Sequence, residues 1–186
     1  DKMRSKSFLV VLAVIVVLAL YLISSYNSLA TLDESVDNAW AQVENQLKRR
    51  ADLIPNLLET VKGYAAHEQE VINSITEARA RYMGARSPQD FEEAEAELSN
   101  ALRSLSVIVE NYPDLKASQN FADFQTDLAG TENRIATERM RYNDIVRQYN
   151  TKIRRFPTNI IARIFGFEMR DYFEINEQDM ETPKVE

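Results

Sequence analysis

From Phe8 to Ile23 the chain reads FLVVLAVIVVLALYLI, sixteen residues without a charge, a glycine or a proline. With Ser7, Ser24 and Ser25 the uncharged run approaches the ~20 residues that a helix needs to cross a hydrocarbon layer. In lipid such a segment satisfies its backbone as a helix, and it is apolar all round, unlike an amphipathic surface helix. Beyond it the pattern changes. Leu29, Leu32, Val36, Trp40, Val43, Leu47, Ala51, Ile54, Leu58, Val61 and Ala65 recur in ten steps over 36 residues, a mean of 3.6, which is the helical period. No breaker separates the two stretches, so one helix is predicted from Phe8 to about Lys62. It would stand about 50–55 Å beyond the membrane at 1.5 Å per residue. Pro55 lies inside it, removes one backbone bond and predicts a kink near Ala51.

The helical spacing resumes at Val71, Ile72, Ile75, Ala78 and Tyr82, to about Met83. Ser87-Pro88-Gln89-Asp90 then reads as a helix start: Ser87 caps, Pro88 suits the first turn and Asp90 favours the positive end. Phe91, Leu98, Leu105 and Tyr112 form one heptad position, and Ala94, Ala101 and Ile108 the other. Asn111-Tyr112-Pro113-Asp114 ends that run. A last long helix is predicted from about Ser118 to Arg155, with Phe121, Leu128, Ile135, Tyr142 and Tyr149 at seven-residue intervals. Thr158 then caps a short amphipathic helix, Asn159 to Phe165, closed by Gly166. A reversal near Gly63 gives long up, short down, short up, long down, with outer helices of matching length. The predicted fold class is all-α: a transmembrane helix continuing into an up-and-down four-helix bundle, plus the short C-terminal helix. The expected divisions are a basic tip (1–7), an anchor (8–25), the bundle (26–155), a basic amphipathic segment (156–170) and an acidic tail (171–186) that is expected to fray beyond Phe173.

Charge orients this arrangement. Lys2, Arg4 and Lys6 precede the apolar run and the next basic residue is Lys48, so the N-terminus is expected in the cytoplasm and the body outside. In a bacterium that places a single-pass chain in the inner (cell) membrane with its body on the periplasmic or extracytoplasmic side. A cleaved signal peptide fits less well, because Leu22-Ile23-Ser24-Ser25 lacks the small residues of a cleavage site. Composition, 27% charged and 45% hydrophobic, is that of a folded domain. The net charge of −7, without a basic stripe, argues against nucleic acid as a partner. The absence of cysteine excludes disulfides, redox pairs and thiolate metal sites.

Four blocks carry a family resemblance: YNSLATLDESVDNAWAQVENQLKRRADLIPNLLETVKGYAAHE (Tyr26–Glu68), ENYPDLKASQNF (Glu110–Phe121), GTENRIA (Gly130–Ala136) and YNTKIRRFPTNIIARIFGF (Tyr149–Phe167). They resemble the LemA family in its own order. The resemblance implies a membrane-anchored bacterial protein with a helical bundle and no enzyme activity. Members linked to internal membrane organelles imply a part in membrane organisation. Neighbouring genes imply a membrane metalloprotease or a TPM-domain protein as candidate partners. The acidic stretch after Phe173 departs from the shared core.

Chemistry finds little equipment. A di-iron bundle needs two Glu-x-x-His pairs, whereas the single histidine, His67, follows Tyr64 by three and reads as an exposed helix-start residue. No glycine-rich phosphate loop exists. Glu92, Glu93, Glu95 and Glu97 read as a solvated face. No catalytic residue, metal or cofactor is expected. Two constellations stand out. Arg50, Asp52 and Asn56 are expected near Glu132, Asn133 and Arg134, either as an ion-pair network fixing helix register or as exposed, screened charges. Lys152, Arg154, Arg155, Phe156, Ile160, Ile161, Arg163, Ile164, Phe165 and Phe167 are too apolar for a free tail and too basic for a core. They suit a membrane-surface foot, a contact with a second copy, or a lid on the chain's own bundle. The functional expectation is a non-enzymatic membrane scaffold that self-associates, with an adaptor for a membrane enzyme as the rival; the expected partners are the lipid bilayer, further copies of the chain and a membrane protein.

Overall fold

The computed structural model describes residues 2–174, with side chains described from residue 8 onward. The side chains of Lys2, Arg4 and Lys6, and the acidic stretch 175–186, lie outside the described residues. Among those described, regular structure is helical throughout: α1 (Lys2–Tyr64), α2 (Gln69–Gly84), α3 (Pro88–Val109), α4 (Pro113–Lys116), α5 (Gln119–Arg154) and α6 (Thr158–Phe165). The chain divides into two compact units, the first Asp1–Asn38 with Asp144–Arg170 and the second Ala39–Asn143 with Asp171–Glu186.

In the second unit the core follows the sequence pattern. Val43, Leu47, Ala51, Ile54, Leu58 and Val61 of α1 are buried, as are Ile72, Ile75, Ala78 and Tyr82 of α2. The break falls at residues 65–68, just past Gly63, and α2 returns along α1: Arg79 Nε donates to the Ala51 carbonyl at 2.7 Å. That bond answers an obligation set by the sequence. Pro55 has no N–H to give the carbonyl four residues back, and α1 nevertheless runs on through Pro55. Arg79 occupies the vacated acceptor.

The Ser87 cap forms as its chemistry dictates, its hydroxyl accepting from the Asp90 N–H at 3.1 Å with Pro88 in the first turn. The α3 heptad holds at Phe91, Leu98 and Leu105 but drifts at the second position. Leu102 and Val109 are buried, Ile108 is only half-buried, and Tyr112 lies beyond the helix end. A straight helix gains ~20° per heptad on a strict seven-residue repeat, which carries the buried face one residue on. On α5, Phe121, Ile135 and Tyr142 are buried and Leu128 half-buried.

The first unit holds a smaller core in which Ile161 and Ala162 of α6 meet Leu29 of α1, with Ile153 and Phe167 packed against them. Gly166 closes α6 in the left-handed conformation, φ 75°. The predicted Thr158 cap is not what forms. Pro157 holds the cap position without a side-chain bond, and the Thr158 hydroxyl instead accepts from Ser25 Oγ at 3.3 Å. A threonine that finds a tertiary donor need not serve its own helix. Asp171–Glu174 has no regular structure, yet Phe173 is 2% exposed.

Candidate functional site

Arg50 decides the first site. It sits on α1 between Leu47 and Ile54, three and four residues from each, so its helical phase is that of the buried seam. Its side chain is 2% exposed. One Nη contacts Glu95 Oε1, the other lies 2.9 Å from Glu132 Oε1, and the guanidinium stands 6.0 Å from the Tyr82 ring centroid. Burial first, then the Glu95 charge, pushes the Tyr82 phenol far up. Arg50 thus ties α1 to α3 and α5, while Arg79 ties α1 to α2.

Of the six residues expected here, the structure joins Arg50 and Glu132. Asp52 is exposed, 3.9 Å from Arg79; Asn56 and Asn133 are exposed; Arg134 donates to its own helix at Gly130 O, 3.1 Å. The missing partner was Glu95. Its run has the sequence of a solvated face, but only Glu93 and Glu97 are exposed, and Glu92 and Glu95 are half-buried. Glu95 follows Phe91 by four and precedes Leu98 by three, a seam position that local charge density concealed. Glu92 also turns inward, 3.0 Å from Arg139 Nη2.

A second cluster had no counterpart in the sequence reading. The Phe173 ring stacks on Trp40 at 5.7 Å, meets Phe91 edge-on at 5.7 Å and Tyr142 at 5.3 Å, and lies under the Arg139 guanidinium at 5.0 Å. Its backbone is held by one side chain. Asn143 Oδ1 accepts the Phe173 N–H at 2.9 Å and Asn143 Nδ2 donates to the Phe173 carbonyl at 3.0 Å. Asn150, in the first unit, makes the same pair of bonds to Arg170, at 2.9 and 2.8 Å. The signal was present as Tyr142-Asn143 and Tyr149-Asn150, a polar residue repeated after seven beside an aromatic one.

In the first unit, α6 seats on the turn of α1 that follows the apolar run. Thr158 meets Ser25, Phe165 and Phe167 pack on the Tyr26 ring at 4.8 and 5.7 Å, and Lys152 reaches Ser28. Ile161 is buried and Phe167 half-buried, whereas Phe156, Ile160, Ile164 and Phe165 are 51–79% exposed. Arg154, Arg155 and Arg163 are exposed. Arg170 pairs with Asp33 at 2.8 Å and Asp37 at 3.1 Å. Tyr149 beside them is pushed up to about 12 by burial and by its bond to Asp33. Among the described residues no group of three or more His, Asp or Glu side chains could hold a metal ion, and His67 is exposed at the break between α1 and α2.

The sequence model of the LemA family matches residues 39–186. This chain belongs to the LemA family. Its relatives include magnetosome protein MamQ 2 of Paramagnetospirillum magneticum, 27% identical with 89% of this chain and 71% of the relative covered. Protein LemA of Metamycoplasma hominis is 26% identical, over 86% and 74%. Magnetosome protein MamQ of Magnetospirillum gryphiswaldense is 25% identical, over 82% and 65%.

The family match takes in Arg50, Glu95, Glu132, Asn143, Phe173 and the whole of α6. The apolar half of α1 precedes it. Phe8–Ile23 of this LemA chain is exposed throughout, in the one helix among the described residues that is long and apolar enough to cross a membrane.

Proposed function

We propose that this LemA-family protein is a non-enzymatic, single-pass membrane scaffold whose helical bundle stands outside a bacterial inner membrane and associates with further copies of itself. The observation that carries this reading is α1. Sixteen exposed apolar residues and the buried seam from Leu29 to Val61 share one uninterrupted helix. Exposed aliphatic surface on that scale is costly in water and suited to lipid. Lys2, Arg4 and Lys6 support a cytoplasmic N-terminus. Faces of α1, α2, α3 and α5 supply most of the buried residues of the second unit, which supports the four-helix bundle. The relatives named as magnetosome proteins support a role tied to membrane organisation.

The adaptor reading has one observation of its own. An open groove of about 380 Å³ is lined mostly by polar side chains, Glu59, Asp123 and Asp127 among them, beside Leu53, Leu57 and Phe124, and suits a basic segment with an occasional apolar side chain. Native mass of the full-length protein, extracted gently from its own membrane with whatever co-purifies, separates the two. A large homogeneous particle of this chain alone supports the scaffold. A small particle with a stoichiometric membrane enzyme overturns it in favour of the adaptor.

A further inference from the structure

We propose that α6 is an in-plane membrane-surface helix, binding the headgroup layer of acidic phospholipids beside the point where α1 leaves the bilayer. The proposal rests on the reading of Phe8–Ile23 as a spanning anchor and goes beyond it. The anchor needs only α1; what α6 does is a separate question.

Position is the first argument. The hydrogen bond, the ring contact and the buried cluster that seat α6 on α1 fall between Ser25 and Leu29, two to six residues past Ile23. At 1.5 Å per residue that is about 3–9 Å along the helix axis. The headgroup layer occupies roughly 5–8 Å on each side of the hydrocarbon core. A helix fixed at that height lies in the layer wherever the apolar run lies in the core.

The pattern of α6 is the second. At 100° per residue, Ile160, Ile161, Ile164 and Phe165 span an arc of roughly 140°, but the chain itself covers only part of it. Ile161 is buried against Leu29, while Ile160 is 51% and Ile164 68% exposed. Phe156, just before the helix, is 79% exposed. A lid on its own unit would turn these residues inward. Here a single buried isoleucine and Ala162 satisfy the seat, and the adjoining apolar sector remains open.

Charge selects the occupant. Arg154, Arg155 and Arg163 flank that sector, all exposed, with no ion pair among the described residues, although the whole chain carries a net charge of −7. Asp33 and Asp37 nearby are engaged by Arg170. Arginine beside open Ile and Phe at headgroup depth matches acidic phospholipid, phosphate to guanidinium and side-chain hydrocarbon to acyl chain. A second copy of this acidic protein would have to offer both partners on one face.

The chain has no cysteine, so single nitroxide labels can be placed at will. Full-length Ile160→Cys, Ile164→Cys, Val16→Cys and Val107→Cys proteins, labelled and reconstituted in phosphatidylcholine vesicles with and without phosphatidylglycerol, report depth through accessibility to oxygen and to a water-soluble nickel chelate. Val107 is exposed on α3 and serves as the aqueous reference. The expected result is several-fold lower nickel accessibility at 160 and 164 than at 107, greater with phosphatidylglycerol than without. Arg155→Glu with Arg163→Glu should abolish the phosphatidylglycerol increment. Position 16 is read separately: a water-exposed label there defeats the anchor itself. A deep label at 16 with aqueous labels at 160 and 164 overturns the surface helix and leaves the anchor standing. Spin–spin broadening at 160 or 164 that is relieved on dilution by unlabelled chain, with shielding that persists and is the same in both vesicle types, overturns it in favour of contact between copies. Equal shielding in both vesicle types overturns the choice of acidic lipid.

Discussion

Arg50 shows how a single position can set helix register. Its guanidinium is buried with two carboxylates, one of them half in solvent, so the cost of breaking the set falls mainly on Glu95. Arg50→Ala is expected to destabilise the folded chain by about 3 kcal/mol, the low end for orphaning a buried ionic partner. Arg50→Met with Glu95→Leu should recover most of that loss, because an apolar pair of similar volume removes the orphan. Chemical denaturation followed by circular dichroism checks both; an additive double variant would mean that the two residues are not coupled. The seam phase of Arg50 was legible in the sequence, and so was Glu132 as a partner. Glu95 was not, because its neighbours Glu93 and Glu97 are exposed and the run reads as one surface until the geometry separates its faces. Phe173 was less legible still, since a Tyr-Phe pair in a loop carries no period to show that Phe173 and not Tyr172 is buried.

At the level of elements, spacing did most of the work. The α1 seam from Leu29 to Ala65 is buried or half-buried along its length because a 3.6-residue pattern admits one inward face. The α3 heptad located Phe91, Leu98 and Leu105 but put Ile108 where Leu102 and Val109 belong, since strict sevens ignore the drift of a straight helix. Caps were legible only where their chemistry is local. Ser87 has its donor (the Asp90 N–H), the turn and Pro88 together, and Ser87→Ala should cost ~1 kcal/mol, read as a lower thermal midpoint. Thr158 has equally suitable sequence, but Ser25, 133 residues away, claims its hydroxyl. No local rule contains that competitor.

For the molecule as a whole, alkaline pH is a sensitive probe. Tyr149, pushed up to about 12, and Tyr82, pushed higher, hold their protons more tightly folded than unfolded. The unfolded chain therefore ionises first as pH rises past 10. Their contribution to stability is full below pH 10 and, for Tyr149, gone above about 12. Absorbance at 295 nm should show late-titrating phenols that Tyr82→Phe and Tyr149→Phe remove; if every tyrosine titrates together near 10 in the folded state, this account of their burial is wrong. Phe173→Ala should cost ~3–5 kcal/mol by emptying the space between Trp40, Phe91 and Tyr142, measured by denaturation of the full chain. The place of Phe173 in chain order has a consequence for biosynthesis. Trp40, Phe91 and Tyr142 all emerge from the ribosome before it, and the whole run Asp144–Arg170 comes between. Until residue 173 is made, the nascent second unit offers an unfilled aromatic socket, so its maturation is a late, vectorial event. A released chain ending at Arg170 should remain protease-sensitive around that socket, and one that runs past Glu174 should close it.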